Sequence, residues 1–113
     1  MTLLSRPDEL VLLSILHLKD QAYGVAIRRY LSEITDEEWS IGAVYVTLDR
    51  LEKQSYVTSA QAPPTPERGG RSKRYYQVSD AGLTALHALR QVNEVLWTNV
   101  PELNLGMILQ ADN

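Results

Sequence analysis

The chain has 113 residues, a formal net charge of −3 and 44% hydrophobic residues, which suits one globular domain and excludes an intrinsically disordered composition. It contains no cysteine, so disulfides, thiolate metal sites and a cysteine nucleophile are excluded. Neither a bilayer-spanning apolar run nor a secretory signal pattern is present, so the sequence predicts a cytoplasmic protein with no membrane partner.

Three helices are predicted in the first half of the chain. The segment 6–18 begins with Pro7 and Asp8, which are favourable in a first helical turn, and is apolar on more than one side. The segment 23–34 carries an amphipathic stripe, and a third helix is predicted over 40–54 with Ser40 as its N-cap. A polar turn and an acidic connector separate these helices.

The outward face predicted for the third helix has an uneven composition. Helical spacing places Ala43, Val46, Arg50 and Lys53 on this face, with Thr47 and Asp49 beside them. Its first half is small and apolar and its second half is basic, whereas an ordinary solvated face would be more uniformly charged. The pattern therefore favours a recognition surface.

A β-hairpin with a basic loop is predicted next. The segments 56–60 and 73–79 are rich in β-forming residues, and the stretch 61–70 between them contains three prolines and two glycines. Residues 66–76 hold four basic residues and one acidic residue, so this segment carries +3 and the rest of the chain −6. Such a loop is either a solvated surface or a contact for phosphate, and its position beside the third helix favours phosphate.

A fourth helix is predicted from Ser79 or Asp80 to a stop at Pro101. Its polar stripe is narrow, and one small domain cannot easily cover the apolar remainder, so we expect a homodimer built on this helix rather than a helix buried in its own domain. The interface residues are predicted to be Leu89, Val92, Asn93, Leu96 and Trp97. Trp97 either packs in the dimer or stacks on a planar aromatic effector with Asn93 as its polar neighbour.

The order helix, helix, helix, strand, loop, strand, helix is that of a winged helix-turn-helix. The predicted fold is mainly α with a β-hairpin, ending in a long C-terminal dimerisation helix. We expect a DNA-binding domain over 1–78 and a dimerisation helix and tail over 79–113, packed as one compact unit. In this architecture the third helix enters the major groove and the hairpin loop follows the phosphate backbone. Whether 101–113 forms a short helix or a tail is left open.

Two blocks of sequence resemble a known family. "GAVYVTLDRLEKQSYV" followed by "GGRSKRYYQVSDAG", together with the "YG" of Tyr23 and Gly24, is similar to the PadR family of bacterial transcriptional regulators, over roughly residues 10–96. The resemblance implies a dimeric repressor that binds a near-palindromic operator. It also implies that Tyr45 contacts the DNA backbone and that Gly70 and Arg71 form the "GR" of the wing. Ser55 departs from the glycine that is frequent in the family.

The predicted function is therefore a sequence-specific DNA-binding regulator, a repressor that binds an inverted repeat of double-stranded DNA as a homodimer and is released by a small planar aromatic ligand. The alternative is a winged-helix module that binds a protein instead of DNA. The predicted DNA contacts are Tyr23, Ser40, Ala43, Tyr45, Val46, Thr47, Arg50, Arg68, Gly70, Arg71, Lys73 and Arg74.

No enzymatic site, cofactor or metal is predicted. The carboxylates of Asp36, Glu37 and Glu38 are consecutive and do not share a helix face. His17 and His87 lie far apart without supporting ligands, and the chain lacks a phosphate-binding glycine loop and a nucleophile motif.

Overall fold

The computed structural model describes residues 2–63 and 73–103. The elements in chain order are α1 (Arg6–Leu18), a 3₁₀ turn (Lys19–Gln21), α2 (Gly24–Thr35), α3 (Ile41–Lys53), β1 (Val57–Gln61), β2 (Arg74–Val78) and α4 (Asp80–Trp97). This is a mainly helical chain with an antiparallel hairpin after the third helix and a long final helix. The predicted fold class, a winged helix-turn-helix followed by a C-terminal helix, is confirmed.

Serine residues cap three of the four α-helices found in residues 2–63 and 73–103. The side-chain oxygen of Ser5 accepts a hydrogen bond from the amide of Asp8, and that of Ser40 accepts one from Ala43. Ser79 caps α4 in the same way, through the amide of Gly82. Each cap satisfies an amide that has no partner within its own helix, which is worth about 1 kcal/mol per helix.

The core lies where α1, α2 and α3 meet the hairpin. Its largest fully buried aliphatic side chains are Leu12, Ile27, Leu31, Leu48 and Leu51. The inward seam of α3, which also includes Val44, has no solvent-exposed area. Full burial of each such side chain contributes roughly 1.5–3 kcal/mol, so this contact fixes the position of α3 on α1 and α2.

The hairpin pairs Val57 with Val78 at one end and Gln61 with Arg74 at the other. A short extended segment before α2 adds to it, because the carbonyl of Ala22 accepts a hydrogen bond from the amide of Tyr76 over 2.9 Å. Tyr76 is buried in the core. The hairpin is thereby attached to the start of α2.

A close crossing fixes the start of α4 on the hairpin. A Cβ atom at Gly82 would overlap the carbonyl oxygen of Tyr56, so only glycine fits there. The hydroxyl of Ser79 donates to the carbonyl of Ser55 over 2.6 Å. α4 ends at Trp97, three residues before the end expected from Pro101, and Asn99 follows with a left-handed φ of 63°.

Candidate nucleic-acid interface

The first two turns of α3 form an exposed surface that is almost entirely apolar. Gly42, Ala43, Tyr45 and Val46 are all exposed, and Val46 retains 62% of its accessible area. Ser40 is exposed too, with its oxygen engaged in the helix cap. The sequence prediction that small and apolar side chains lie outward here agrees with these exposures.

Thr47 does not lie on this surface. It is only 5% exposed, and its hydroxyl donates to the carbonyl of Ala43 over 3.0 Å. The expectation that Thr47 flanks the outward face is wrong, because its small side chain fits beside the core and its hydroxyl is satisfied by its own helix. Thr47 is therefore unavailable for a base contact in this conformation.

Arg50 has a partner within the protein. Its guanidinium donates to the carboxylate of Asp8 on α1 over 2.5 Å, and the Asp8 side chain is 8% exposed whereas that of Arg50 is 42% exposed. The pair ties the recognition helix to α1 across 42 positions of sequence. A contact between Arg50 and DNA stays a prediction, and it would have to be made by the exposed part of a side chain that already serves the fold.

Tyr45 lies over the start of α2. A Cβ atom at Gly24 would lie 2.5 Å from the hydroxyl oxygen of Tyr45, so the glycine makes room for this ring. The ring is 42% exposed, which leaves part of the phenol open to solvent. The "YG" pair and the tyrosine of α3, which are separate in the sequence, are therefore in contact.

Lys73 and Tyr23 meet at the loop end of the hairpin. The ammonium nitrogen of Lys73 lies 4.0 Å from the centre of the Tyr23 ring, within cation–π range. The same ring meets Tyr75 edge-on with 5.6 Å between centroids. These contacts hold a positive charge at the start of α2, next to the position where Gly24 accommodates Tyr45.

Arg74 is linked to α3 through a serine. Its guanidinium donates to the hydroxyl of Ser59 over 2.8 Å, and this hydroxyl donates to the carboxylate of Glu52 over 2.5 Å. Next to these hydrogen bonds, burial raises the pKa of the Tyr76 phenol, and the carboxylates of Glu52 and Asp49 raise this pKa further. Arg68, Gly70 and Arg71, also predicted to contact DNA, lie outside the described residues.

The residues predicted to form the dimer interface and the ligand site on α4 differ in their exposure. Leu89 is buried at 9% exposure, so it packs within its own chain, contrary to its placement on a free interface. Leu96 and Trp97 are 67% and 70% exposed, Val92 is less so, and Asn93 is half-buried. Trp97 and Asn93 line a cavity of about 370 Å³ between α1 and α4, together with Leu13, Leu16, Leu83 and Leu86.

The model of the PadR-like family of transcriptional regulators matches residues 12–88, well over half of the chain. The chain belongs to this family. The predicted resemblance is thereby confirmed, and this PadR-like protein is a transcriptional regulator rather than an enzyme. Membership implies DNA binding.

Solved structures agree with the family assignment. The fold is similar to that of a PadR-like transcriptional regulator from Bacillus cereus, with a TM-score of 0.67 and 21% identity over 91% of this chain and 90% of that one. It is also similar to a PadR family regulator from Eggerthella lenta, with a TM-score of 0.64 and 26% identity over 88% and 80%. A transcriptional regulator from Clostridium thermocellum gives a TM-score of 0.66 and 22% identity over 80% and 85%. No curated protein matches the chain.

Sequence reasoning missed three residues that position the interface of this PadR-like regulator. Asp8 holds Arg50, and Ser59 and Glu52 hold Arg74. Asp8 was predicted only as a first-turn residue, and nothing local in the sequence marks its partner on α3. A helix start rich in acidic residues is common, so the signal for this pair exists only in three dimensions.

The described parts of this PadR-like chain contain neither a metal-ligand cluster nor a membrane-spanning helix. Residues 2–63 and 73–103 contain no group of three or more His, Cys, Asp or Glu placed to hold a metal ion. Among the same residues, no helix combines the length and apolar character needed to cross a bilayer.

Proposed function

We propose that this PadR-like regulator is a repressor that binds an inverted-repeat operator in double-stranded DNA as a homodimer. The observation that carries the proposal is a chain of contacts that joins α3 to the hairpin. Tyr45 of α3 packs on Gly24, Gly24 follows Tyr23, and the Tyr23 ring lies under the ammonium of Lys73. α3 would occupy the major groove while Lys73 and Arg74 meet phosphate.

The charge distribution supports DNA as the partner of this surface. The segment 66–76 carries a net charge of +3, whereas the rest of the chain carries −6, so this segment stands out as a local excess of positive charge. Screening limits exposed charges to about 10 Å, so the acidic remainder would not prevent a local contact with phosphate. Each cation that neutralises a phosphate releases counterions, and a dimer would double the number of such contacts.

The exposed end of α4 supports the homodimer. Val95, Leu96 and Trp97 are each at least 67% exposed, and an apolar groove lies between α1 and α4 of the same chain. The projecting ends of the two copies would pack against each other beside this groove, which would cover the exposed apolar side chains and leave the groove open. Two recognition helices would then face successive half-sites about 34 Å apart.

The cavity beside Trp97 supports a place for an effector. It has an aromatic wall and aliphatic lining, with the amide of Asn93 and the carboxylates of Glu9 and Glu94 at its edge. A planar aromatic compound would stack on the indole and change the angle between the two copies of α4, which would move the recognition helices out of register with the operator. The protein would act in the cytoplasm, where the chromosome lies.

DNA binding is tested by fluorescence anisotropy of the full chain with the DNA upstream of its own coding sequence, titrated over a range of salt concentrations. Tight binding that weakens steeply with salt is expected. Arg74→Ala should weaken binding to every sequence and flatten the salt dependence by about one unit of slope per protomer. Arg6→Ala is the matched control, since Arg6 is another exposed arginine with a side-chain partner, Glu9, and lies at the start of α1.

The same titration separates the two kinds of winged-helix function. If no DNA is bound even at low salt, the repressor proposal is wrong and a protein-binding winged helix takes its place. If Arg74→Ala and Arg6→Ala weaken binding equally, the hairpin is not the phosphate contact.

A further inference from the structure

The exposed surface formed by the first two turns of α3 presents only aliphatic side chains and the phenol of Tyr45. Between Ile41 and Val46 there is no charged side chain and no side-chain amide. Val46 is 62% exposed, and a Cβ atom added at Gly42 would meet nothing within 4 Å. The helix backbone and the Val46 side chain are therefore free to approach a partner closely.

Three polar side chains next to this surface are already engaged. The hydroxyl of Thr47 is buried and donates to the carbonyl of Ala43. The side-chain oxygen of Ser40 accepts a hydrogen bond from the amide of Ala43. The guanidinium of Arg50 is held by Asp8. A base contact by Thr47 would have to break its bond to Ala43, whereas apolar readout would leave all three contacts intact.

Only one unmodified base offers an apolar group in the major groove. Thymine presents its C5 methyl group there, while guanine, adenine and cytosine present hydrogen-bonding edges to a side chain. The N-terminal residues of a recognition helix are the ones that reach base edges. An exposed valine at this position therefore matches thymine and has no favourable partner on the other three bases.

We infer that Val46 is a specificity-determining residue that selects thymine by packing on its C5 methyl group, once in each half-site of the operator. This inference rests on the proposed DNA-binding function. Gly42 and Ala43 assist because their small side chains let α3 enter deeply enough for Val46 to reach the methyl group. This apolar base contact depends on the DNA sequence, whereas contacts between the basic residues of the hairpin and phosphate do not.

The test uses the full chain and two pools of random duplex DNA, one amplified with thymidine triphosphate and the other with deoxyuridine triphosphate. Sites selected from the thymine pool are then remade with deoxyuridine at single thymine positions, which removes only the methyl group. We expect a loss of about fourfold in affinity at the contacted thymine of one half-site. Replacing the symmetric pair should give a loss of about fifteenfold, because the two contacts are independent.

Val46→Ala identifies the residue that makes the contact. This variant should bind thymine and deoxyuridine sites with nearly equal affinity, because its side chain is too short to reach the methyl group. Ile34→Ala is the matched control: Ile34 is a β-branched residue on α2 that is 64% exposed, and its variant should keep the full preference for thymine. Val46 makes little contact with the core, and alanine favours helix, so the variant should fold.

Each outcome decides one point. If the wild-type chain binds DNA but is indifferent to deoxyuridine, the inference is wrong while the proposed function stands, and this result does not depend on the folding of any variant. If Val46→Ala keeps the preference for thymine, another residue reads the methyl group. If neither pool is bound at low salt, the DNA-binding function itself fails and the inference with it.

Discussion

Gly24 acts through the residue that it accommodates. The helix-starting glycine is required for space, because any Cβ atom would overlap the phenol of Tyr45, and no unusual backbone angle is involved. The neighbour is the end of a partly exposed side chain, which can rotate away at low cost. A side chain at position 24 would therefore disturb the interface more than the fold.

Gly24→Ala should lower affinity for DNA about tenfold, because the Tyr45 hydroxyl would lose its alignment with a phosphate oxygen. The free energy of unfolding should change by less than about 1 kcal/mol, since the core is untouched. In a Tyr45→Ala background, Gly24→Ala should have no further effect on DNA affinity. Equal losses in both backgrounds, measured by anisotropy, would show that Gly24 acts independently of Tyr45.

Ser55 occupies a position suited to glycine. Two hydrogen bonds close the end of α3. The amide of Tyr56 donates to the carbonyl of Leu51, and the amide of Ser55 donates to the carbonyl of Glu52. This pattern requires a left-handed residue, and Ser55 has a φ of 65°. The helix end is closed in the usual way in spite of the serine, at a cost in backbone strain.

Ser55→Gly should stabilise the protein by about 1 kcal/mol, which would raise the melting temperature by roughly 4 °C. Gln54→Gly, one residue earlier, is the control. Gln54 has an ordinary right-handed conformation with a φ of −83°, so glycine there should destabilise by about 0.5–1 kcal/mol. A fall in melting temperature for Ser55→Gly, measured by circular dichroism, would rule out the strain argument.

At the scale of elements, α3 is held against α1 by charge as well as by apolar packing. Arg50 belongs to the exposed half of α3, yet it reaches the buried carboxylate of Asp8. Removing one partner of such a pair leaves a charge without compensation, which costs more than removing both. The pair therefore sets the orientation of the recognition helix, whatever Arg50 does at the DNA.

Arg50→Ala should lower the free energy of unfolding by about 1–3 kcal/mol, since the Asp8 carboxylate would remain buried without its partner. Adding Asp8→Asn should restore part of this loss. Lys53→Ala, which removes an exposed cation from the same helix, should change stability by less than about 0.5 kcal/mol. Urea denaturation measures all three. A stable Arg50→Ala protein with altered base preference would instead favour direct readout by Arg50.

At the scale of the whole molecule, the first part of α4 packs on the core, whereas its C-terminal end is exposed. Its first part packs through Leu86 and Leu89, while its last turns carry the most exposed aliphatic and aromatic side chains of any helix in the described residues. A monomer would leave this apolar surface in water. The exposed end is therefore the part of the chain on which assembly is expected to depend.

Leu96→Glu should convert the dimer to a monomer, because a carboxylate would be buried without a partner in the proposed interface. Sedimentation velocity reports the assembly state directly. Affinity for an inverted repeat should fall by about a hundredfold, since two linked half-sites would no longer be bound together. Ile34→Glu, at a similar exposure on α2, should remain dimeric. A monomeric wild-type protein at micromolar concentration would overturn the dimer proposal.

The sequence by itself determined the order and type of the elements and the family. Helical spacing of apolar residues, together with the Pro7 and Ser40 start signals, placed α1, α2 and α3 close to their observed bounds. The cap of α3 by Ser40 and the hairpin also followed from local chemistry. Only the tertiary structure decided that Thr47 is buried and that Arg50 meets Asp8. It also decided that Leu89 faces its own core and that α4 stops short of Pro101. These outcomes depend on contacts between residues distant in sequence, and helical spacing cannot distinguish which edge of a face meets a neighbouring element.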